Sequence, residues 1–216
     1  MFRRVHCYTE EFKEVDDFVA NEILVKIFGN GELLASLYCS PSSLRELGAG
    51  YVVCEGYGRE VSKVEVSGKN IFVSYIPRFT SKMPDFRVEI GDVFELMSKL
   101  STSEVWKITG GTHSAAIKSG DDVYIYEDVS RSCAVDKVVG RTILDKRFGE
   151  ILAVTCRLSE VIVHKAVNAK IPIIVSKSTV TSAGMDLAQE NGVTLIGLAR
   201  AGHAKIYTHP WRIKLK

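Results

Sequence analysis

The chain has 216 residues, 46% of them hydrophobic, enough for one large domain or a principal domain with a smaller attachment, and it should fold alone. Its 28 basic and 26 acidic side chains leave a net charge of +2, which excludes the broad basic footprint of a non-specific nucleic-acid binder, so any anion site is local. No run of about 18 apolar residues appears, and the opening MFRRVHCYTEEF reaches acids before any apolar core, which argues against a membrane span or signal peptide and for a soluble, cytoplasmic protein.

In chain order, NEILVKIFGNGELLASLYC alternates through Ile23, Val25 and Ile27, turns at Gly29-Asn30-Gly31 and resumes at Leu33, the pattern of a hairpin. Ser40 or Ser42 can then cap a short helix, with Pro41 near its first turn and Gly48 and Gly50 loosening it. VSKVEVSGKNIFVSYIP predicts a second hairpin around Gly68-Lys69-Asn70. Two prolines and little periodicity over 77–90 place a loop there, so the chain divides into a β-rich unit at 1–78, a linker at 79–90 and an α/β unit at 91–216.

The second unit opens with helical spacing at Val93, Leu96, Met97 and Leu100, followed by a hairpin in VWKITGGTHSAAIKSGDDVYIYED. Helices at 131–146, 158–169 and 182–191 then alternate with the strands EILAVTC, IPIIVS and VTLIGLA, and a short strand lies near KIYTH. Val135, Val138, Val139, Thr142 and Ile143 make one stripe of the first of these helices; Leu158, Ile162, Val163 and Ala166 do so for the second. Continuous Ile, Val and Leu strands joined by helices predict an α/β (α+β) fold whose mixed, largely parallel sheet is covered by helices on both faces.

In such folds the carboxyl ends of the strands face a shared crevice. Polar residues gather there: Glu127, Asp128, Ser130 and Arg131; Arg157 and Ser159; Ser176, Lys177 and Ser182; Arg200 and Gly202. Arg131, Arg157, Lys177 and Arg200 together suit phosphates, although serine, threonine and aspartate at these positions are also ordinary helix caps. Gly110 and Gly111 permit close backbone approach, followed by Thr112 and His113, which is either an acid, base or donor to a ligand or a histidine bonded within its hairpin.

The five cysteines, at 7, 39, 54, 133 and 156, include no Cys-x-x-Cys pair, which argues against a disulfide framework or zinc finger, and each alone reads as a buried thiol. A zinc nucleotide deaminase needs His-x-Glu and Pro-Cys-x-x-Cys, and both are missing. Neither a Gly-x-Ser-x-Gly elbow nor a Walker pattern occurs.

TGGTHSAA, EDVSR with AVDKVVG, RLSEVIVHKAVNAKIPIIVSKSTVTSAGMDLAQENGVTLIGLAR and YTHP resemble the formate dehydrogenase accessory sulfurtransferase family, FdhD, and NEILVKIFGNGELLASLYCSP with ELGAGYVVCEG resembles its opening region. The resemblance implies a cytoplasmic protein with a cytidine deaminase-like second domain and no zinc, expected to be a homodimer. Such proteins pass sulfur from a cysteine desulfurase to the bis(molybdopterin guanine dinucleotide) form of the molybdenum cofactor, bound rather than permanently held. Their client is formate dehydrogenase or a related molybdenum or tungsten enzyme. A guanine nucleotide alone is the smaller ligand consistent with the same pocket. The family's cofactor-binding segment falls on Leu198, Ala199, Arg200, Ala201, Gly202 and His203. His113 and Asp128 would orient the ligand, while Ser176, Ser182 and the Gly110-Gly111 turn shape the pocket.

Two departures stand out. The family's cysteine-bearing loop corresponds to FTSKMPDF at 79–86, which holds no cysteine, and persulfide transfer needs a thiol. Ser132 and Cys133 also replace the family's His-Asn pair; Cys133, beside Arg131 at a helix start, is the one substitute nucleophile the sequence offers, on the expectation of a lowered pKa. Without that loop, a non-catalytic cofactor-binding chaperone or regulator and, more distantly, a nucleotide-modifying enzyme of deaminase-like fold are the alternatives.

Overall fold

The structure, a computed structural model, describes residues 1–77, 82–100 and 103–215. It opens with a two-stranded antiparallel hairpin, β1 (Phe2–Tyr8) and β2 (Glu14–Ala20), in register from Phe2 opposite Ala20 to Tyr8 opposite Glu14. The expected hairpins follow as β3 (Ile23–Gly29) with β4 (Glu32–Cys39) and β5 (Gly58–Ser67) with β6 (Asn70–Pro77). Asn30 and Gly31 both take positive φ, 47° and 94°, the backbone that matches a tight turn to the twist of its strands. β6 lies parallel to β3, which merges the hairpins into one sheet of order β4-β3-β6-β5.

The intervening helix α1 (Leu44–Cys54) lays Leu47 and Val52 against Val25, Ile27, Ile71 and Val73 of that sheet. Neither Ser40 nor Ser42 caps it: Ser43 occupies the cap in a left-handed conformation with no side-chain hydrogen bond. Its glycines do not loosen it either, because they are where α1 crosses the later helix α4 (Arg131–Leu144). A Cβ on Gly50 would stand 1.7 Å from the Asp136 carbonyl oxygen, and one on Gly140 would stand 1.8 Å from that of Glu46. Backbone cannot yield to a methyl group as a side-chain tip can. Gly140→Ala is therefore expected to cost about 3 kcal/mol or to prevent folding, read as a lower urea midpoint, and a loss below about 1 kcal/mol would show that the crossing is not close-packed.

Within the 77–90 stretch expected as a loop, residues 78–81 lie outside the described ones, and residues 82–87 are irregular. Arg212 fixes the irregular part by donating to the carbonyls of Pro84 (2.8 Å) and Phe86 (3.1 Å). β7 (Val88–Glu89) then pairs in parallel with β14 (Ile213–Lys214).

Beyond it come α2 (Ile90–Lys99), α3 (Glu104–Thr109), β8 (His113–Ser119), β9 (Asp122–Asp128) and α4. β10 (Ile151–Val154), α5 (Glu160–Ala169), β11 (Ile173–Ser176), α6 (Ser182–Glu190), β12 (Thr194–Arg200) and β13 (His203–Ile206) follow. The strands form a six-stranded mixed sheet of order β13-β12-β11-β10-β8-β9. Parallel pairing is confined to β10, β11 and β12; the flanks are antiparallel because each is supplied by a hairpin, β8-β9 on one side and β12-β13 on the other. Leu152, Val154, Ile174 and Leu195 face α4, α5 and α6, while Ile151, Ala153, Ile173, Val175 and Ile196 face α2, which covers the other side with Val93, Leu96 and Met97. This two-sided burial is why these strands read as continuous apolar runs.

VWKIT, expected as the first arm of a hairpin, is instead the helix α3. Ser103 caps it by accepting the Trp106 amide (3.1 Å), and Gly110 ends it at φ 63°, so local capping overrides the alternation of Trp106 and Ile108 with Lys107 and Thr109.

Candidate functional site

The sheet brings four chain segments to one edge. Because β8 runs antiparallel to β10, its first residues stand beside β10's last ones, with Ala115 opposite Val154. The Ser114 amide donates to the Thr155 hydroxyl (3.1 Å) and the Thr155 amide to the Ser114 carbonyl (3.1 Å), which locks that junction. Next in sheet order come Lys177, just past β11, and Arg200, at the end of β12.

Between them lies a cleft of about 690 Å³, lined by the Gly110-Gly111 turn, Thr112, His113, Thr155, Lys177 and Arg200, with Trp106 of α3 on its wall. A second lobe of about 550 Å³ shares Lys177 and Arg200 and continues past Ala199, Ala201 and Gly202. The lining residues of both lobes include no aspartate or glutamate.

The cations are organised. Arg200 donates its Nε–H to the Lys177 carbonyl (2.8 Å), tying the two segments together. Burial pushes the Lys177 ammonium below its ordinary value, and Arg200 adds to the shift. Burial and then the Arg131 charge depress the His113 imidazole, which is therefore neutral at pH 7. A bound anion would reverse both shifts, so the pocket is poised to bind negative charge. The nearby acid is occupied elsewhere: Glu127 accepts hydrogen bonds from the Ser103 and Thr112 hydroxyls.

The segment from Leu198 to His203 is a hairpin tip: Arg200 pairs with His203 across Ala201 and Gly202, which both take positive φ, 49° and 78°. Leu198 forms a bulge at φ 55° and donates its amide to the Ser178 carbonyl (2.8 Å). Ala199 is buried, whereas Ala201, Gly202 and His203 are exposed at the tip.

Other expected residues stand apart. Asp128 does not orient a ligand: it is fully buried, takes the Lys137 ammonium at 2.5 Å, and accepts the amides of Ser40 (3.1 Å) and Ser130 (2.8 Å). Its role is to fasten the end of β4 to the start of α4. Ser176 is likewise wholly buried, donating to the Cys156 carbonyl (2.6 Å) and accepting the Ser178 amide (2.9 Å), so it shapes the pocket only through its turn. Ser182 is exposed at the start of α6, where Thr181 supplies the cap, and is not in the cleft wall. Arg157 is exposed just beyond β10 and Arg131 at the start of α4; neither lines the cleft, though Arg131 acts on His113 by its charge.

Trp106, Leu100 and Thr155 are cleft residues that the sequence did not single out. Ser103, which caps α3, holds Glu127 and lines the cleft, was not singled out either.

A family model described as the FdhD/NarQ family matches residues 69–214. The "Sulfur carrier protein FdhD" of Methanothermobacter thermautotrophicus is 34% identical over 99% of both chains. The "Protein FdhD" of Methanocaldococcus jannaschii is 35% identical over 92% of this chain and 91% of its own. The chain belongs to the FdhD/NarQ family. A crystal structure from Desulfotalea psychrophila, provisionally described as a formate dehydrogenase accessory protein, superposes with a TM-score of 0.87 at 25% identity over 99% of both chains.

Membership makes the thiols the next question, since this FdhD/NarQ chain has no cysteine at 79–86. Cys133 does not replace it. Burial drives its thiol up to about 12, outweighing the Ser130 hydrogen bond, and its sulfur sits 3.7 Å from the Tyr38 carbonyl oxygen among core residues. The expectation of a lowered pKa fails because the side chain points into the core. Cys39 and Cys156 are raised to about 11, chiefly by burial, and Cys54 well above its ordinary value. Only Cys7, on the hairpin β1-β2, is not buried. Native maleimide labelling is expected to modify one thiol, to be abolished by Cys7→Ser and to be unchanged by Cys133→Ser; rapid labelling lost on Cys133→Ser would contradict the buried placement.

Proposed function

We propose that this protein is an accessory protein of formate dehydrogenase or a related molybdenum or tungsten enzyme, binding molybdopterin guanine dinucleotide in the cleft between α3 and the carboxyl ends of β10–β12 and assisting its insertion. The observation that carries the reading is the convergence of Lys177, Arg200 and His113 on a cleft whose lining contains no carboxylate, a donor set that fits pyrophosphate oxygens. The bound group would supply the metal and its thiolate ligands. The residues of this chain bind and orient: Lys177 and Arg200 take the phosphates, Gly110 and Gly111 let backbone approach, and Trp106 offers an apolar face for a ring system.

Sulfur carriage, which the names of the relatives state, would require a thiol at a cofactor site. Cys156 follows the cleft residue Thr155 and Cys133 packs in the core beneath α1, and burial holds both above the thiolate range. The cofactor-binding chaperone is therefore favoured over the catalytic sulfurtransferase. Native mass spectrometry of the purified protein is the test: a retained molybdopterin species, lost in Lys177→Ala/Arg200→Ala, is expected. Absence of any retained species together with no measurable GDP binding would reject the reading.

A further inference from the structure

At the opposite end of the sheet lies a second concavity of about 410 Å³, formed where residues 82–84 and the start of β5 meet the turns that follow α4 and α5. Its floor is apolar, with Val139, Ile143 and Ile171, and Phe148 stands exposed at its edge, packed edge-on against Phe86 at 6.3 Å. Its polar wall carries Arg59, Lys82, Lys146, Arg147 and Lys170, and its lining residues include no acid. Arg147 reaches Asp122 at 3.2 Å, an exposed pair of low strength that a competing carboxylate can displace.

Cations after a helix are ordinarily explained by the negative end of its dipole. That accounts for Lys146 and Lys170, which follow α4 and α5, but not for Arg59 at the start of β5 or Lys82 in irregular chain. Four separate regions thus contribute like charge to one groove. The same helix ends argue against a compact phosphate, because they present carbonyls rather than amides, and the cations are long side chains rather than a fixed cradle. An extended segment bearing carboxylates along its length and one apolar residue satisfies both the cationic rim and the apolar floor.

We propose that this groove docks an acidic segment of a partner protein through an apolar anchor on Phe148, Ile143 and Ile171, independently of the ligand cleft. The probe is a fluorescein-labelled peptide of sequence Asp-Glu-Leu-Glu-Phe-Asp-Glu, titrated with the full chain and followed by fluorescence anisotropy. Arg59→Glu/Lys82→Glu is expected to weaken it about tenfold, and Phe148→Ala about fivefold at unchanged charge. Lys205→Glu, on the far hairpin, and Lys177→Ala, in the cleft, should leave it unaltered, with circular dichroism reporting the fold of each variant. Equal affinity for wild type and Arg59→Glu/Lys82→Glu, or displacement of the peptide by an equimolar amount of ATP, would overturn the proposal. A cleft that fails to bind GDP would leave these readouts untouched, so the two readings fail separately.

Discussion

Lys165→Met is expected to destabilise the protein by about 3–5 kcal/mol, the cost of stripping one partner from a buried ion pair. The Lys165 ammonium, 1% exposed, is bonded to Asp136 at 2.8 Å and Glu55 at 2.6 Å, so it joins α4, α5 and the end of α1 at one point. Burial alone would lower its pKa, but Asp136, helped by Cys54 and Glu55, holds it above the ordinary 10.5. The sign follows: its stabilisation is fully present below 10.5 and is lost only as pH rises through the higher folded value, while burial raises the Asp136 carboxyl, so the loss on mutation should be constant from about pH 7 to 9 and change only at more acidic pH, where Asp136 takes up a proton. Urea unfolding measures it. Replacing the buried pair together, as Lys165→Met/Asp136→Leu, should recover part of the loss because the carboxylate then left without its partner, Glu55, is partly exposed to water. A loss below about 1 kcal/mol for Lys165→Met would mean that water reaches the abandoned carboxylates.

This network illustrates what the sequence withholds. The apolar stripe of α4 was legible because Val135, Val138 and Val139 repeat with the helix period, and β10 and β11 because burial on both faces leaves no polar alternation. The alternation of VWKIT misled, since a helix of six residues is governed by its cap and its terminal glycine more than by its period. Asp128 was read as a ligand residue because it ends a strand beside Arg131. Its true partners are Lys137 of the helix that follows it and Ser40, 88 residues away in the chain, which is brought to it by tertiary packing that spacing along the chain does not report. The same holds for Gly50, whose meaning depends on Gly140 in another helix. Local periodicity therefore predicted most elements correctly, while the division of polar residues into binding and structural roles required tertiary contacts. Lys177 and Arg200 survived that division: both line the cleft, and Glu127, which touches its lining, already has donors.

These two residues give the largest expected effect on binding. With GDP as probe, isothermal calorimetry should show Arg200→Ala and Lys177→Ala each weakening binding about 10- to 100-fold, the range for one hydrogen bond to a charged group of about 1.5–3 kcal/mol. The double variant should lose less than the sum, because Arg200 also holds the Lys177 carbonyl at 2.8 Å and its removal already displaces that segment. Arg200→Lys should recover little, since a lysine restores the charge but not the Nε–H directed to that carbonyl. The affinity should also depend on pH. His113 is held below its ordinary 6.5 by burial and Arg131, and a phosphate beside it favours the protonated form, so GDP should bind more tightly, with proton uptake, as pH falls below about 6.5. His113→Asn should remove the His113 part of that dependence, leaving the titration of the GDP terminal phosphate itself, and leave binding at pH 8 nearly unchanged. Arg131→Ala should move the onset to higher pH by removing a charge that opposes protonation. Affinity that is insensitive to Arg200→Ala and Lys177→Ala would remove the cationic cleft from nucleotide binding altogether, and the placement of the cofactor would fall with it.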